Sequence, residues 1–293
     1  MLMLTLQGLV NGLIVGAIYG LIGVGLNIIF GVLRVVNFAH GEFLILGAYL
    51  SYFALNQFGI NPFIAAPMAF ALFAIVGFGL YYVLIPRLAK SDDPETASLL
   101  ATYGLSIMLG AGMLLAFEAD ARSLGFSFEP IFINLGPIII PTVRIAALAI
   151  VCLLVVALAY FQYRTLTGKA LRAITMNRDA IRIVGIDIDR LSALAFGIGL
   201  GLAAITGVLT AMIFPSFSPF AGADYTLIGF IVIVLGGLGH PVGALAGAIL
   251  FGVTEQVMSV YVNSSIALII GFLLLVAVIF LRPSGLFGKT VQR

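Results

Sequence analysis

The chain has no tryptophan, one cysteine and two histidines in 293 residues. The lone Cys152 excludes an intrachain disulfide and a cysteine metal site. With only His40 and His240, and no H-E-x-x-H, a metalloprotease has no ligand set. Charge is the deepest deficit. There are 14 basic and 12 acidic side chains, 9% of the total, where soluble domains carry about 25%. So few charges cannot solvate the surface of a soluble protein of this length. A soluble enzyme domain, a nucleic-acid-binding module and a disordered tail are excluded, and no nucleic-acid partner is expected. The net charge of +2 says nothing about partners. No G-x-x-x-x-G-K-[ST] phosphate loop occurs, so ATP is not bound in that way. No charge precedes Arg34, so the start reads as a membrane helix and not as a secretory signal with a basic leader.

What is present is apolar residue and glycine. Hydrophobic residues make up 62% of the chain, enough for roughly nine spans at about 20 residues each. The expected fold is an all-α polytopic membrane protein of eight to ten spans, forming one domain over 1–293. The spans fall at about 4–31, 41–58, 62–85, 97–117, 142–163, 191–213, 225–238, 241–260 and 264–281. The seventh is too short to cross a hydrocarbon core of about 30 Å and reads as a half-helix or re-entrant segment. The 34 glycines exceed the roughly 7% of an average protein, and they lie inside apolar runs. Gly8, Gly12, Gly16 and Gly20 make a ridge on span one, and Gly239, Gly243 and Gly247 make another at span eight. Small residues at this spacing let helices approach closely. The two ridges are expected to face each other or a second subunit.

Basic residues set the orientation. The loop 164–190 holds Arg164, Lys169, Arg172, Arg178, Arg182 and Arg190; loop 86–96 holds Arg87 and Lys90; the tail holds Arg282, Lys289 and Arg293. These are assigned to the cytoplasm. The loop 118–141, with Glu118, Asp120 and Glu129, is assigned outside. Nine spans then alternate, with the N-terminus outside and the C-terminus inside. Tyr49, Tyr52, Tyr81, Tyr82, Tyr160, Tyr163 and Tyr261 are expected in an interfacial belt. An ungapped match of 26–50 with 226–250 has seven identities, including His40 with His240 and Gly47-Ala48 with Gly247-Ala248. It suggests an internal repeat, a common plan among transporters.

Two segments carry the polar chemistry. Arg34, Asn37, His40 and Glu42 cluster between spans one and two. Polar groups at membrane depth are costly and tend to line cavities or pair, so this is a path or gate element, or else an ordinary turn in which Asn37 caps the second helix. Glu255 in span eight is a further path candidate, and Asp224 is expected at a helix start. In 164–190, Leu171, Ile174, Ile181 and Val184 recur at helical spacing among arginines, with a second short helix starting near Thr175 or Asn177. A connection needs only about 2–8 residues. The favoured reading is a docking unit for a cytoplasmic partner; the other is a helix lying on anionic lipid.

These residues resemble a known family. Asn37-Phe-Ala-His40-Gly41-Glu42-Phe43 followed by Gly47-Ala48-Tyr49, and Gly236-Gly237-Leu-Gly239-His240-Pro241-Val-Gly243, are similar to LivH-type permease subunits of branched-chain amino acid ABC importers. So are Gly168-Lys-Ala-Leu-Arg172, Asn177, Ala180 and Gly185-Ile186, and the Arg282-Pro283-Ser-Gly285-Leu-Phe-Gly288 ending. The resemblance covers nearly the whole chain. It implies a bacterial or archaeal cytoplasmic (inner) membrane protein paired with a second related permease. Two cytoplasmic ATPase subunits and a periplasmic substrate-binding protein complete the implied assembly. It also implies that Gly168, Arg172, Asn177, Arg178, Ala180 and Gly185 belong to the loop on which the ATPases dock and that the chain itself supplies the path, for which Asn37, His40, Glu42, His240 and Glu255 are the candidate path or gate residues. Neither catalytic residues nor cofactor or metal ligands are expected. The implied cargo is a branched-chain or other small amino acid, with urea or short amides as the alternative within the family. A stand-alone secondary transporter is the competing class, and it would not need the docking loop.

Overall fold

The computed structural model describes residues 1–288 apart from 89, 128–130, 137 and 184, and says nothing of the side chains of residues 95, 135, 179 and 180. Val184, Glu129, Lys289 and Arg293, named above, lie outside the described residues. The elements are α1 (Leu2–Leu33), α2 (His40–Phe58), α3 (Pro62–Leu88), α4 (Pro94–Phe117), β1 (Phe132–Leu135), β2 (Ile138–Pro141), α5 (Thr142–Arg164), α6 (Leu166–Met176), α7 (Arg178–Ile183), α8 (Ile188–Ile213), α9 (Ala221–Gly236), α10 (Pro241–Tyr261) and α11 (Ser264–Leu281). Among the described residues, seven helices are long and apolar enough to cross a membrane: α1, α3, α4, α5, α8, α10 and α11. α9 has 16 residues, about 24 Å of helix, and is shorter than a full crossing. The protein is a polytopic all-α membrane protein. Each of the nine apolar segments read from the sequence is a helix.

Two helices form the centre. The most apolar windows of α1 and α8 are 83% and 94% buried, whereas those of α4 and α11 are each only 11% buried. The central helices are apolar all round, as expected of helices that contact protein on every side. α3, α4, α5 and α11 surround them with exposed Leu, Ile, Val and Met, side chains suited to lipid.

Polar contacts sort the helix ends onto two sides. On one side Thr5 Oγ1 meets Tyr261 Oη at 2.5 Å, and Gln7 exchanges hydrogen bonds with the Ile139 backbone at 2.8 and 3.0 Å. The backbones of Arg122 and Phe217 pair on that side too. On the other side Tyr81 Oη donates to Asp189 Oδ1 at 3.0 Å, and the Gly239 N–H donates to Asn27 Oδ1 at 2.6 Å. The nine apolar helices thus alternate in direction through the bundle.

Several expectations are corrected. Between α4 and α5 lies a two-stranded antiparallel hairpin, β1 with β2, where the sequence pattern predicts only a loop. Tyr49 and Tyr81 are 1% and 2% exposed and do not join an interfacial belt. Tyr49 stacks on Phe117 at 4.2 Å between ring centroids. The two glycine ridges do not face each other. Gly8, Gly12, Gly16 and Gly20 lie against α10, a Cβ on Gly12 falling 2.6 Å from Val253 Cα. Their counterpart on α10 includes Gly252, whose Cβ would fall 2.5 Å from Gly16 Cα. Gly243 and Gly247 instead meet the end of α9 at Gly236. Gly239 is not on the helix: it is in the preceding turn at φ +78°, a left-handed conformation that suits glycine.

Candidate translocation site and coupling surface

The site begins where α1 ends. α1 ends in Arg34, whose φ of 59° and ψ of 24° are left-handed, with its N–H bonded back to Phe30 O. Few residues other than glycine adopt this conformation. It reverses the chain, and the β-branched Val35 and Val36 carry it back into the bundle. α2 therefore starts beside the last third of α1 and not at its end. The His40 ring lies against Gly25, where a Cβ would be 3.2 Å from its Cε1. Gly25 is eight residues before Leu33, about 12 Å along the axis.

α9 comes to meet it. Gly41 N donates to Thr226 Oγ1 at 2.8 Å, and Thr226 Oγ1 donates to Phe38 O at 3.1 Å. A Cβ on Gly222 would lie 2.6 Å from Glu42 Oε2. The Glu42 carboxylate thus sits in the first turn of its own helix and beside the first turn of α9. Both are positive dipole ends, so its negative charge is favoured there. Glu42 Oε1 accepts from Ser106 Oγ at 2.8 Å, which ties α4 to the junction. Thr102 Oγ1, one turn earlier on α4, donates to Val36 O at 2.9 Å.

The junction is closed and only half satisfied. Asn37 and His40 are 0% exposed and Glu42 is 5% exposed. Asn37 Oδ1 accepts from Ala39 N at 3.1 Å. That is a local turn, not the cap expected for α2, whose N-cap is Ala39. Asn37 Nδ2, Glu42 Oε2 and both His40 ring nitrogens make no hydrogen bond of normal geometry among the described residues; the Ile22 backbone is the acceptor within looser reach of His40. Buried polar groups left in this state are costly, and a rearrangement that pairs or hydrates them is correspondingly favoured.

The other two candidates lie apart from this junction. Glu255 on α10 is half-buried, close enough to Tyr19 and Tyr225 for electrostatic interaction, and its Oε2 has no hydrogen-bond partner among the described residues. His240 is the N-cap of α10 and is exposed, in contrast to His40. Both copies of the suggested repeat hold a helix, a break and a second helix, but the two histidines occupy different surroundings. Asp224 falls in the first turn of α9, as read.

The loop 164–190 folds as the helix pair α6 and α7, with Asn177 between them. Thr165 caps α6 by accepting from Gly168 N at 3.0 Å. Gly168, Leu171 and Ile174 are the buried positions of α6, one helical stripe. Gly168 is pressed onto the Phe161 carbonyl, leaving no room for a Cβ. Thr175 Cγ2 reaches Gly31 of α1. Arg172 lies over the Tyr163 ring at 4.1 Å. Leu166, Met176 and Ile183 are 85%, 81% and 88% exposed. Arg178 and Gly185 are exposed, with Gly185 at φ +78°; Ala180 lies in α7, its side chain outside the description. On the opposite end of the bundle Arg122 stacks over Tyr52 at 5.4 Å. Its hydrogen bond with Tyr52 raises its pKa above the ordinary arginine value, so it is a permanent cation.

Broken helices meeting at a buried polar junction, within a polytopic bundle that carries a short amphipathic helix pair at one end, define a membrane protein of the transporter class. The chain matches the family described as "Branched-chain amino acid transport system / permease component" over residues 8–279, and it belongs to that family. It is 29% identical to the high-affinity branched-chain amino acid transport system permease protein BraD of Pseudomonas aeruginosa, over 97% of this chain and 96% of that protein. It is 30% identical to the corresponding LivH of Salmonella typhimurium, again over 97% and 96%. It is also 26% identical to LivM of Escherichia coli K12, over 93% of this chain and 68% of that one. No solved structure matches significantly.

Proposed function

We propose that this chain is the membrane-spanning half of an ABC importer for branched-chain or other small aliphatic amino acids. It pairs with a second related permease, receives substrate from a periplasmic binding protein, and is driven by two ATP-hydrolysing subunits. The permease family and the names of its relatives support this reading. In this reading the protein lies in a prokaryotic cytoplasmic membrane with its N-terminus outside and the α6–α7 face inside.

One observation carries the coupling role. α6 buries one stripe against α5 and α1 while Leu166, Met176 and Ile183 stay exposed at the basic end of the bundle. Large apolar side chains presented among arginines suit a protein cleft. ATP-driven closure of the partner subunits pushes on this unit. Gly168 and the Thr175–Gly31 contact pass the movement to α5 and α1, and α1 leads directly into the α2–α9 junction. Asn37, His40 and Glu42 act there as the gate: the unpaired groups find partners or water when the junction opens.

The test is reconstitution with the partner subunits in proteoliposomes. Wild-type chain is expected to give ATP-dependent uptake of an aliphatic amino acid delivered by its binding protein. Uptake by the purified chain alone, without ATP, would overturn the proposal.

A further inference from the structure

A cavity of about 570 Å³ opens between α1, α5, α6 and the start of α10. Its floor is α1 from Val24 to Val32, a rise over eight steps of about 12 Å. Most of the lining is aliphatic, with Leu158 of α5 and Leu245 of α10 as opposite walls. Arg172, Gln162 and His240 stand among the polar lining residues.

Asn27 on the floor is the informative residue. It is 1% exposed, and its Oδ1 is engaged by the Gly239 N–H at 2.6 Å. A backbone donor needs the oxygen, so the amide orientation is settled and Nδ2 is the free end. Nδ2 is buried and has no partner among the described residues. A buried donor without an acceptor costs roughly 1–3 kcal/mol. The cavity thus presents an unused donor at depth and a guanidinium at Arg172, and among the described residues no carboxylate lines it. A free amino acid would bring an ammonium group that no charge here would pair. An anion with an apolar body fits all three features.

We propose that this cavity binds an anionic phospholipid. The phosphate sits at Arg172, the ester region accepts from Asn27 Nδ2, and an acyl chain runs between Leu158 and Leu245. The depth of about 12 Å covers the interfacial zone of one leaflet, roughly 5–8 Å, and the outer part of the hydrocarbon. The charge matches too: Lys169, Arg178 and Arg182 lie on the same helix pair as Arg172, and anionic headgroups attract such clusters. The lipid would bridge α6 to α1 and α10, holding the coupling unit in register with the transport core. Its regulatory meaning rests on the coupling role proposed above; the binding site itself does not.

The purified full chain is placed in phosphatidylcholine nanodiscs containing spin-labelled phosphatidylglycerol or spin-labelled phosphatidylcholine. The expected result is a several-fold higher immobilised fraction for phosphatidylglycerol. Arg172→Gln is expected to weaken that preference about fivefold. Leu158→Trp fills the groove while leaving its polar side chains in place and should abolish the immobilised population; its monodispersity on gel filtration checks folding. Equal immobilisation of both lipids by wild type overturns the proposal, as does a preference unchanged in both variants. Displacement of the label by millimolar 4-methyl-2-oxopentanoate would identify a soluble carboxylate as the occupant and overturn the lipid. The assay involves no transport, so its failure and that of the importer reading are separately visible.

Discussion

Gly47 of α2 faces the Ala204 carbonyl of α8 so closely that a Cβ on Gly47 would overlap that oxygen. The contact is reciprocated within one turn, where Gly207 of α8 sits on the Leu44 carbonyl. The two helices touch by their backbones, which holds the first half of α2 against the centre of the bundle. In lipid, where hydrophobic driving force between helices is absent, such close packing is a main source of association.

Gly47→Ala should therefore destabilise, although alanine is the better helix former by about 1 kcal/mol. The overlap is with backbone, which cannot rotate away, and overpacking typically costs about 1–3 kcal/mol. Gly79→Ala on α3 is the control, because nothing lies within 4 Å of its Cβ position. Thermal denaturation followed by gel filtration in detergent should show a lower midpoint for Gly47→Ala and an unchanged or higher one for Gly79→Ala. Equal midpoints would mean that α2 and α8 are not in backbone contact.

Glu42 offers a sharper separation of gate from scaffold. Ser106→Ala removes one hydrogen bond to a buried carboxylate, a loss of about 1.5–3 kcal/mol, and should mainly lower thermal stability. Glu42→Gln keeps shape and hydrogen bonding but removes the charge beside two helix N-termini. Uptake is expected to fall about tenfold or more with the assembled complex still recovered. Alanine variants of Asn37 and His40 should behave in the same way. Normal uptake by all of these would return residues 34–43 to an ordinary turn.

At the coupling surface, Ile183→Asp and Arg178→Glu alter exposed positions and should leave membrane insertion intact. ATPase activity is expected to lose its stimulation by loaded binding protein, and uptake should fall about tenfold. If both variants transport normally, the ATPase does not dock on α7. Gly168→Val acts differently, since it forces α6 off the Phe161 carbonyl and should reduce the yield of folded protein itself.

Much of this was readable from residues in order. Apolar runs nearly 20 residues long can be little else than helices in a chain with so few charges, and every one of them is a helix. The Leu171–Ile174 stripe likewise marks the buried face of α6. What escaped depends on which elements meet. Gly243 and Gly247 have the same spacing as the α1 ridge, but spacing does not say whether the partner is α1 or α9. Tyr49 and Tyr81 lie near span ends, yet they are buried because α2 starts deep and Asp189 supplies a partner for Tyr81. The depth of α2 follows from the left-handed turn at Arg34, and no residue there announces it, since glycine is the usual carrier of that conformation. Asn27 carries no signal in the sequence for the same reason: one amide in an apolar helix becomes informative only when its oxygen is occupied and its nitrogen is not.

Orientation in the membrane can be decided with one background variant. Cys152 is the only cysteine and is exposed on α5, so Cys152→Ser removes it with little effect on packing. Asp92 precedes α4 and Asp120 follows it, and both are exposed. They therefore report the two ends of one helix. The basic loops place the Asp92 side in the cytoplasm. In intact cells a membrane-impermeant maleimide should label Asp120→Cys and spare Asp92→Cys, with both labelled after permeabilisation. The contacts that sort the helix ends onto two sides carry this result to the whole bundle. The α6–α7 face lies with the start of α8, where Asp189 meets Tyr81 at the end of α3, shortly before Asp92. Labelling of Asp92→Cys but not Asp120→Cys in intact cells would put α6 and α7 outside, beyond the reach of any ATP-hydrolysing partner, and the coupling proposal would fall with the orientation.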